Sequence, residues 1–243
     1  MSETKKIALV TGANKGIGFE TVRQLGEKGY TILVGARDEA RGAEAVEKLK
    51  GEGFDADFVK IDSTDAETIS SAARTVGEKY GKLDVLVNNA GIALDAGQKP
   101  SAVSQDLLRQ TFDTNFFGII AVTQAFLPLL RKSEAGRIVN VSSGLGSLTQ
   151  NSDPNWEFYQ VKPLAYNSSK TALNAFTVIL AHELKEANIK VNSADPGFTA
   201  TDLNGNRGTK TVAEGASIIT DLATLSDDGA TGGYFDDHGK IDW

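Results

Sequence analysis

Tyr166 and Lys170 stand four positions apart in a stretch whose apolar residues recur at helical spacing. Both side chains therefore project from one helix face, about one turn apart. A free phenol titrates at about 10, too high for a ready proton donor at neutral pH, and an adjacent ammonium is expected to lower that value. The pair reads as a general acid with its tuning partner; taken alone, the spacing also fits an exposed i,i+4 pair on an amphipathic helix. Ser142 and Ser143 follow a β-branched run, at what would be the carboxyl edge of a strand, where open α/β sheets bind their ligands. A hydroxyl there can donate to a substrate carbonyl oxygen. It does not read as a hydrolase nucleophile, because no G-x-S-x-G elbow surrounds it and the chain has only two histidines, His182 and His238. Those two lie far apart without ligand spacing, so no metal site is expected. Asn115 interrupts an apolar helical stretch containing Phe116, Phe117, Ile119 and Ile120. It is either a satisfied packing amide or a residue that bends the helix and holds a water.

A second group of residues could hold phosphate. Thr11-Gly12-Ala13-Asn14-Lys15-Gly16-Ile17-Gly18 lies between a predicted strand and a predicted helix, where a nucleotide pyrophosphate meets the positive end of a helix. Glycine permits the close backbone approach. At the end of the second predicted strand, Val34-Gly35-Ala36-Arg37 lacks the acid that would accept from a ribose 2′-hydroxyl and offers an Arg suited to a 2′-phosphate. Lys15 adds a second cation. Opposite charges about 4 Å apart interact by about 4 kcal/mol at an effective dielectric of about 20, and exposure reduces this towards about 1 kcal/mol. Even that is about fivefold in affinity. Asp38 is read as a helix cap rather than a competing charge. The expected cofactor is NADP(H), against the alternative of solvated surface cations.

These residues need a scaffold that delivers them to one edge. Short β-branched runs alternate with amphipathic stretches, the pattern of βαβ units. Strands are expected over 7–10, 30–34, 56–61, 83–87, 137–141, 189–193 and 233–235. Helices are expected over 19–28, 39–50, 66–80, 105–130, 165–186 and 213–222, the fourth with Pro128 near its end. The prediction is an α/β single-domain Rossmann fold covering 1–243: a doubly wound, mostly parallel seven-stranded sheet with helices on both faces. Two stretches break the alternation, 144–162 with Trp156, Phe158 and Tyr159, and the Gly-rich 204–210. Such loops are either surface excursions or the walls of a substrate pocket.

Composition narrows the function classes. The 243 residues are 40% hydrophobic, 23% charged and 7% aromatic, ordinary for one globular domain. Cysteine is absent, which excludes disulfides, thiolate nucleophiles and zinc-thiolate sites. Lys plus Arg is 25 against 32 Asp plus Glu, and the net charge of -7 argues against nucleic acid as a partner. Met1-Ser2-Glu3-Thr4-Lys5-Lys6 precedes no apolar run with a small-residue cleavage site, and no uninterrupted apolar stretch of membrane-spanning length is evident. A cytoplasmic enzyme with no membrane partner is the expectation.

Together these residues resemble the short-chain dehydrogenase/reductase family along essentially the whole chain. The Gly-rich turn is similar to the family's, as are Asn88-Asn89-Ala90-Gly91, the helical Asn115, Ser143 after strand five, Tyr166 and Lys170 as Y-x-x-x-K, and Pro196-Gly197 after strand six. The resemblance implies that Tyr166 protonates a carbonyl oxygen that Ser143 hydrogen-bonds. It further implies that Lys170 holds the nicotinamide ribose and lowers the Tyr pKa, and that Asn115 supports a proton-relay water. The cofactor-binding set it implies is Gly12, Asn14, Lys15, Gly16, Ile17, Gly18 and Arg37, with Asp62 on the adenine amino group and Asn89, Ala90 and Gly91 beside the adenosine ribose. Tyr166 and Lys170 belong to it too, with Pro196, Gly197, Thr199 and Thr201 near the carboxamide and phosphates.

Within the family the chain looks most like the NADPH-dependent carbonyl reductases, from Pro196-Gly197-Phe198-Thr199-Ala200-Thr201-Asp202-Leu203 and the ending Thr231-Gly232-Gly233-Tyr234-Phe235 with Ile241-Asp242-Trp243. The implied substrate is a small-molecule carbonyl or alcohol, in an open pocket near Leu145, Trp156, Phe158 and Phe198. Ser143 and Tyr166 are 23 positions apart, longer than the family's usual interval, and the oligomeric state, monomer or homo-oligomer, stays open. Two alternatives also stay open: a 3-oxoacyl-carrier-protein reductase, and a regulator that senses NADP(H) without chemistry.

Overall fold

The computed structural model describes residues 5–243, so the reading of Met1 to Thr4 lies outside the described residues. Eight strands form one sheet in the order β3-β2-β1-β4-β5-β6-β7-β8. They are β1 (Ile7–Thr11), β2 (Thr31–Ala36), β3 (Ala56–Lys60), β4 (Val85–Asn88), β5 (Gly136–Val141), β6 (Ile189–Ala194), β7 (Tyr234–Asp236) and β8 (Gly239–Lys240). All neighbours pair parallel except β7 with β8. The expected seven strands become eight because the chain turns back after β7. His238 N–H donates to Asp236 Oδ1, and the returning strand is two residues long, too short for any periodicity to announce it.

The strands β1, β2, β4 and β5 are buried along their whole length, which explains why they read as continuous apolar runs rather than alternating ones. One face of the sheet is covered by α3 (Ala66–Tyr80), α5 (Gly118–Leu130) and α7 (Leu164–Glu183), through side chains such as Val76, Phe126 and Leu180. The other is covered by α1 (Gly16–Glu27), α2 (Glu39–Gly51) and α8 (Val212–Ala223), through Leu25, Leu49 and Ile219. Asp38 caps α2 by accepting from the Arg41 amide, as expected, and Asp65 and Thr211 cap α3 and α8.

The helical region predicted over 105–130 is interrupted. Between α4 (Gln105–Phe112) and α5, residues Asp113–Phe117 form a π turn. By length and apolar composition Gln105–Leu130 could cross a membrane, but Val122, Phe126 and Leu130 are buried against the sheet and α3. The 144–162 stretch is partly regular, with a 3-10 turn at Gly144–Gly146 and a short helix, α6 (Leu148–Ser152). Strand order reverses between β1 and β4. The loops after β1, β4, β5 and β6 therefore emerge together at the carboxyl edge, the place where such sheets bind ligands.

Candidate active site

Ser143 leaves the end of β5, Tyr166 and Lys170 ride one face of α7, and Asn115 sits in the π turn. The structure brings all four to the carboxyl edge. Lys170, only 3% exposed, donates from Nζ to the Val141 carbonyl at 2.7 Å. Asn115 is fully engaged: its Nδ2 donates to Ile92 O at 2.8 Å and to Ser169 Oγ at 3.1 Å, and its Oδ1 accepts from Ile92 N at 2.8 Å. It ties the π turn to the loop after β4 and to α7. A β-carbon on Gly91 would stand 3.4 Å from Asn115 Oδ1 and 3.5 Å from Lys170 Nζ, so these three positions converge. A β-carbon on Gly146 would lie 2.8 Å from that of Lys170, and the missing side chain lets the loop after β5 press onto α7.

The expected lowering of the Tyr166 pKa is corrected by the structure. Burial pushes the phenol up to about 12, Asp195's negative charge adds to this, and the Ser143 hydroxyl, within hydrogen-bonding reach, pulls the other way. Lys170 is engaged elsewhere. Its Nζ is 5.7 Å from the Tyr166 ring centroid, is held by Val141, and is pushed down to about 8 by its own burial. Four positions on a helix place the two groups on one side, and the ammonium there is held by the Val141 carbonyl.

What holds the start of α7 is not written in the residues around it. Pro163 offers no capping side chain, and the buried Asp95 serves instead, its Oδ2 accepting from Ala165 N at 2.6 Å. Asp95 follows β4 by sequence distance but caps a helix some seventy positions later, a contact that no local spacing encodes.

The glycine-rich turn wraps the edge of β1. Gly12 and Gly16 have φ of +65° and +58°, and a β-carbon on Gly18 would lie 2.5 Å from both Asn89 Nδ2 and Gly12 O. Asn89 braces the turn, its Nδ2 donating to Thr11 O at 2.8 Å, while Thr11 Oγ1 accepts from the amides of Asn89 and Ala90. Ile17 lies in the first turn of α1, whose N-terminus, unlike those of α2, α3 and α8, has no side-chain cap and no acid in its first turn. Its amides are left to an outside acceptor. A β-carbon on Gly16 would meet only Thr201 Cγ2, at 3.8 Å, across the opening. These features fit a dinucleotide pyrophosphate.

Beside the turn, an open depression of about 550 Å³ is lined by Asn14, Lys15, Phe19, Arg41, Lys48 and Asp202, among others. Arg41 and Lys48 were not singled out from the sequence; their signal was an i,i+7 spacing along the exposed side of α2. Lys15, read as a second cation for the cofactor, is paired with Asp202 at 2.6 Å, both ends exposed. Arg37 is exposed at the end of β2. Asp62 Oδ1 accepts from the amide and hydroxyl of Thr64. Pro196 and Gly197 turn at the end of β6, with φ of +69° at Gly197. Thr199 is buried, its hydroxyl donating to Pro196 O at 2.9 Å and its carbonyl accepting from Asn204 Nδ2 at 2.8 Å, whereas Thr201 stands opposite Gly16.

On the far side of Ser143 lie aromatic rings. Trp156 meets Phe158 at 5.5 Å between centroids, and Phe158 meets Phe198 at 5.6 Å, both edge to face. At their foot Asp195 accepts from Gly197 N at 2.9 Å. The C-terminal residues close the same region: Trp243 stacks on Tyr234, and the carbonyls of Asp242 and Trp243 accept from Ser147 Oγ and from Thr149.

The fold and this edge define a dinucleotide-binding oxidoreductase. The chain belongs to the short-chain dehydrogenase family, whose model matches residues 6–211. A short-chain dehydrogenase of Penicillium roqueforti, anuI, is 41% identical, with 91% of this chain and 89% of that protein covered. The (+)-neomenthol dehydrogenase of Capsicum annuum is 33% identical with 95% of each covered. Among solved structures, the NADPH-bound carbonyl reductase of chicken fatty liver superposes with a TM-score of 0.86 at 27% identity, covering 99% of this chain and 100% of that one.

Proposed function

We propose that this chain is an NADP(H)-dependent carbonyl reductase, interconverting a small ketone or aldehyde and its alcohol. The observation that carries the reading is the convergence of Ser143 at the end of β5 with Tyr166 and the buried Lys170 on one face of α7, at the same carboxyl edge as the glycine-rich cradle. Bound in the cradle, NADPH supplies the hydride. Ser143 donates to the carbonyl oxygen and orients it. Tyr166 delivers its proton to that same oxygen as negative charge grows there. A phenol pushed up to about 12 keeps its proton throughout the neutral range, which suits a donor in the reducing direction. Asn115 holds the π turn against α7 and so fixes the wall beside Lys170.

Support for NADP(H) over NAD(H) comes from the exposed Arg37 after β2, from Arg41 beside the depression, whose other cations Lys15 and Lys48 are paired with Asp202 and Glu44, and from the absence of an acid at the end of β2. The NADPH bound to the chicken carbonyl reductase points the same way. The test is turnover of a panel of aryl ketones, ketoesters and quinones with NADPH and with NADH, followed by nicotinamide absorbance. Turnover faster with NADPH is expected, falling by about 10²–10⁴ in Tyr166→Phe while NADPH binding persists. Binding without turnover on any carbonyl would instead identify a nucleotide sensor.

A further inference from the structure

We propose that Asp195 is a substrate-recognition residue that, with the aromatic arc above it, selects carbonyl compounds carrying a cationic amine close to the reacting carbon. The inference rests on the carbonyl reductase reading for its substrate's carbonyl, but the cation site stands on its own geometry.

Asp195 follows β6 directly and reaches across to the loop after β5. Its Oδ1 accepts from the Gly197 amide at 2.9 Å. Its Oδ2 lies 3.0 Å from where a β-carbon of Gly144 would stand, and Trp156 Cζ2 lies 3.2 Å from the same point. Carboxylate and indole edge are therefore at most about 6 Å apart, and Gln150 Oε1, 2.9 Å from the same point, adds a neutral acceptor beside them. Phe158 and Phe198 extend the ring surface from Trp156 to the Pro196-Gly197 turn. All four residues are only partly buried.

The carboxylate has no ion pair of its own among the described residues. Lys210, the cation that reaches it electrostatically, is committed to Asp237 at 2.7 Å, and Asp236 adds a second negative charge nearby. Burial raises the Asp195 pKa, and the amides of Gly197 and Gly144 pull it back. A part-buried carboxylate without a cation of its own, beside a run of three aromatic rings, is the chemistry that recognises an alkylammonium. Gly144 adjoins Ser143, and successive α-carbons are about 3.8 Å apart. The ammonium must then lie only a few bonds from the carbonyl that Ser143 and Tyr166 engage.

The test uses two ketones of one shape, 1,1-dimethyl-4-oxopiperidinium and 4,4-dimethylcyclohexanone, which differ only in a permanent charge. Calorimetric titration into the full chain, alone and saturated with NADP⁺, measures binding without turnover. The charged ketone is expected to bind at least tenfold more tightly, about 1.4 kcal/mol. Asp195→Asn, which keeps an acceptor for the two amides, is expected to abolish that ratio, and Trp156→Leu to reduce it severalfold. Equal affinity for the two ketones, or a ratio unchanged in both variants, would overturn the proposal. Should Asp195→Asn fail to fold, the wild-type ratio and Trp156→Leu decide it. A charge preference lost in the variants, with no NADPH turnover of these ketones or of any carbonyl in the panel, would sustain the cation site and remove the reductase reading.

Discussion

Lys170 carries an electrostatic cost that the chemistry of the site explains. Its ammonium is pushed down to about 8 by burial, against about 10.4 when the chain is unfolded. Between those values the unfolded chain binds the extra proton, so stability rises as pH rises through that window; below about 8 the full cost is present. Lys170→Met is therefore expected to raise the melting temperature at neutral pH, with a gain of up to about 3 kcal/mol that shrinks as pH climbs from 8 towards 10. Turnover should be lost at the same time. A melting-temperature series from pH 7 to 10 for both proteins checks this, and an advantage independent of pH would refute it. The residues Ser143, Tyr166 and Lys170 were legible because their types and order carry chemistry. Their energetics were not, because a pKa is set by burial and by Asp195, which approaches from another strand.

At the scale of elements, the π turn is where local pattern and packing part company. Periodicity over 105–130 is continuous, and the extra residue of the turn leaves no trace in hydropathy; it shows only as the polar Asn115 amid Phe116, Phe117 and Ile119. The turn is held by what Asn115 bonds: both backbone groups of Ile92 and the hydroxyl of Ser169. Asn115→Ala leaves those groups without partners, at an expected cost of about 2–4 kcal/mol. A urea titration measures it, and hydrogen exchange at the Ile92 amide should speed up with it. A loss under about 0.5 kcal/mol would mean that packing alone holds the turn. The regular helices were easier to read, because Asp38 and Asp65 announce α2 and α3 by local capping, whereas the remote cap of α7 by Asp95 does not.

At the scale of the molecule, the doubly wound sheet followed from the alternation of buried strands and amphipathic helices, and the one miscounted strand lies at its far end. That end also buttresses the substrate side. Removing Asp242 and Trp243 deletes the stack on Tyr234 and the acceptors for Ser147 and Thr149. The expected result is a loss of about 2 kcal/mol and a melting temperature lower by about 4–8 °C. KM for the carbonyl substrate should rise more than kcat falls, as α6 loses its anchor; unchanged kinetics would show that the tail serves stability alone. The reversed strand β8 has a consequence of another kind. It gives the sheet a margin only two residues long bearing Lys240, and the opposite margin, β3, carries Asp57 and Lys60. Neither border offers a flat apolar template to a neighbouring chain, so crowding should not lead these molecules to stitch together into fibrils through their backbones.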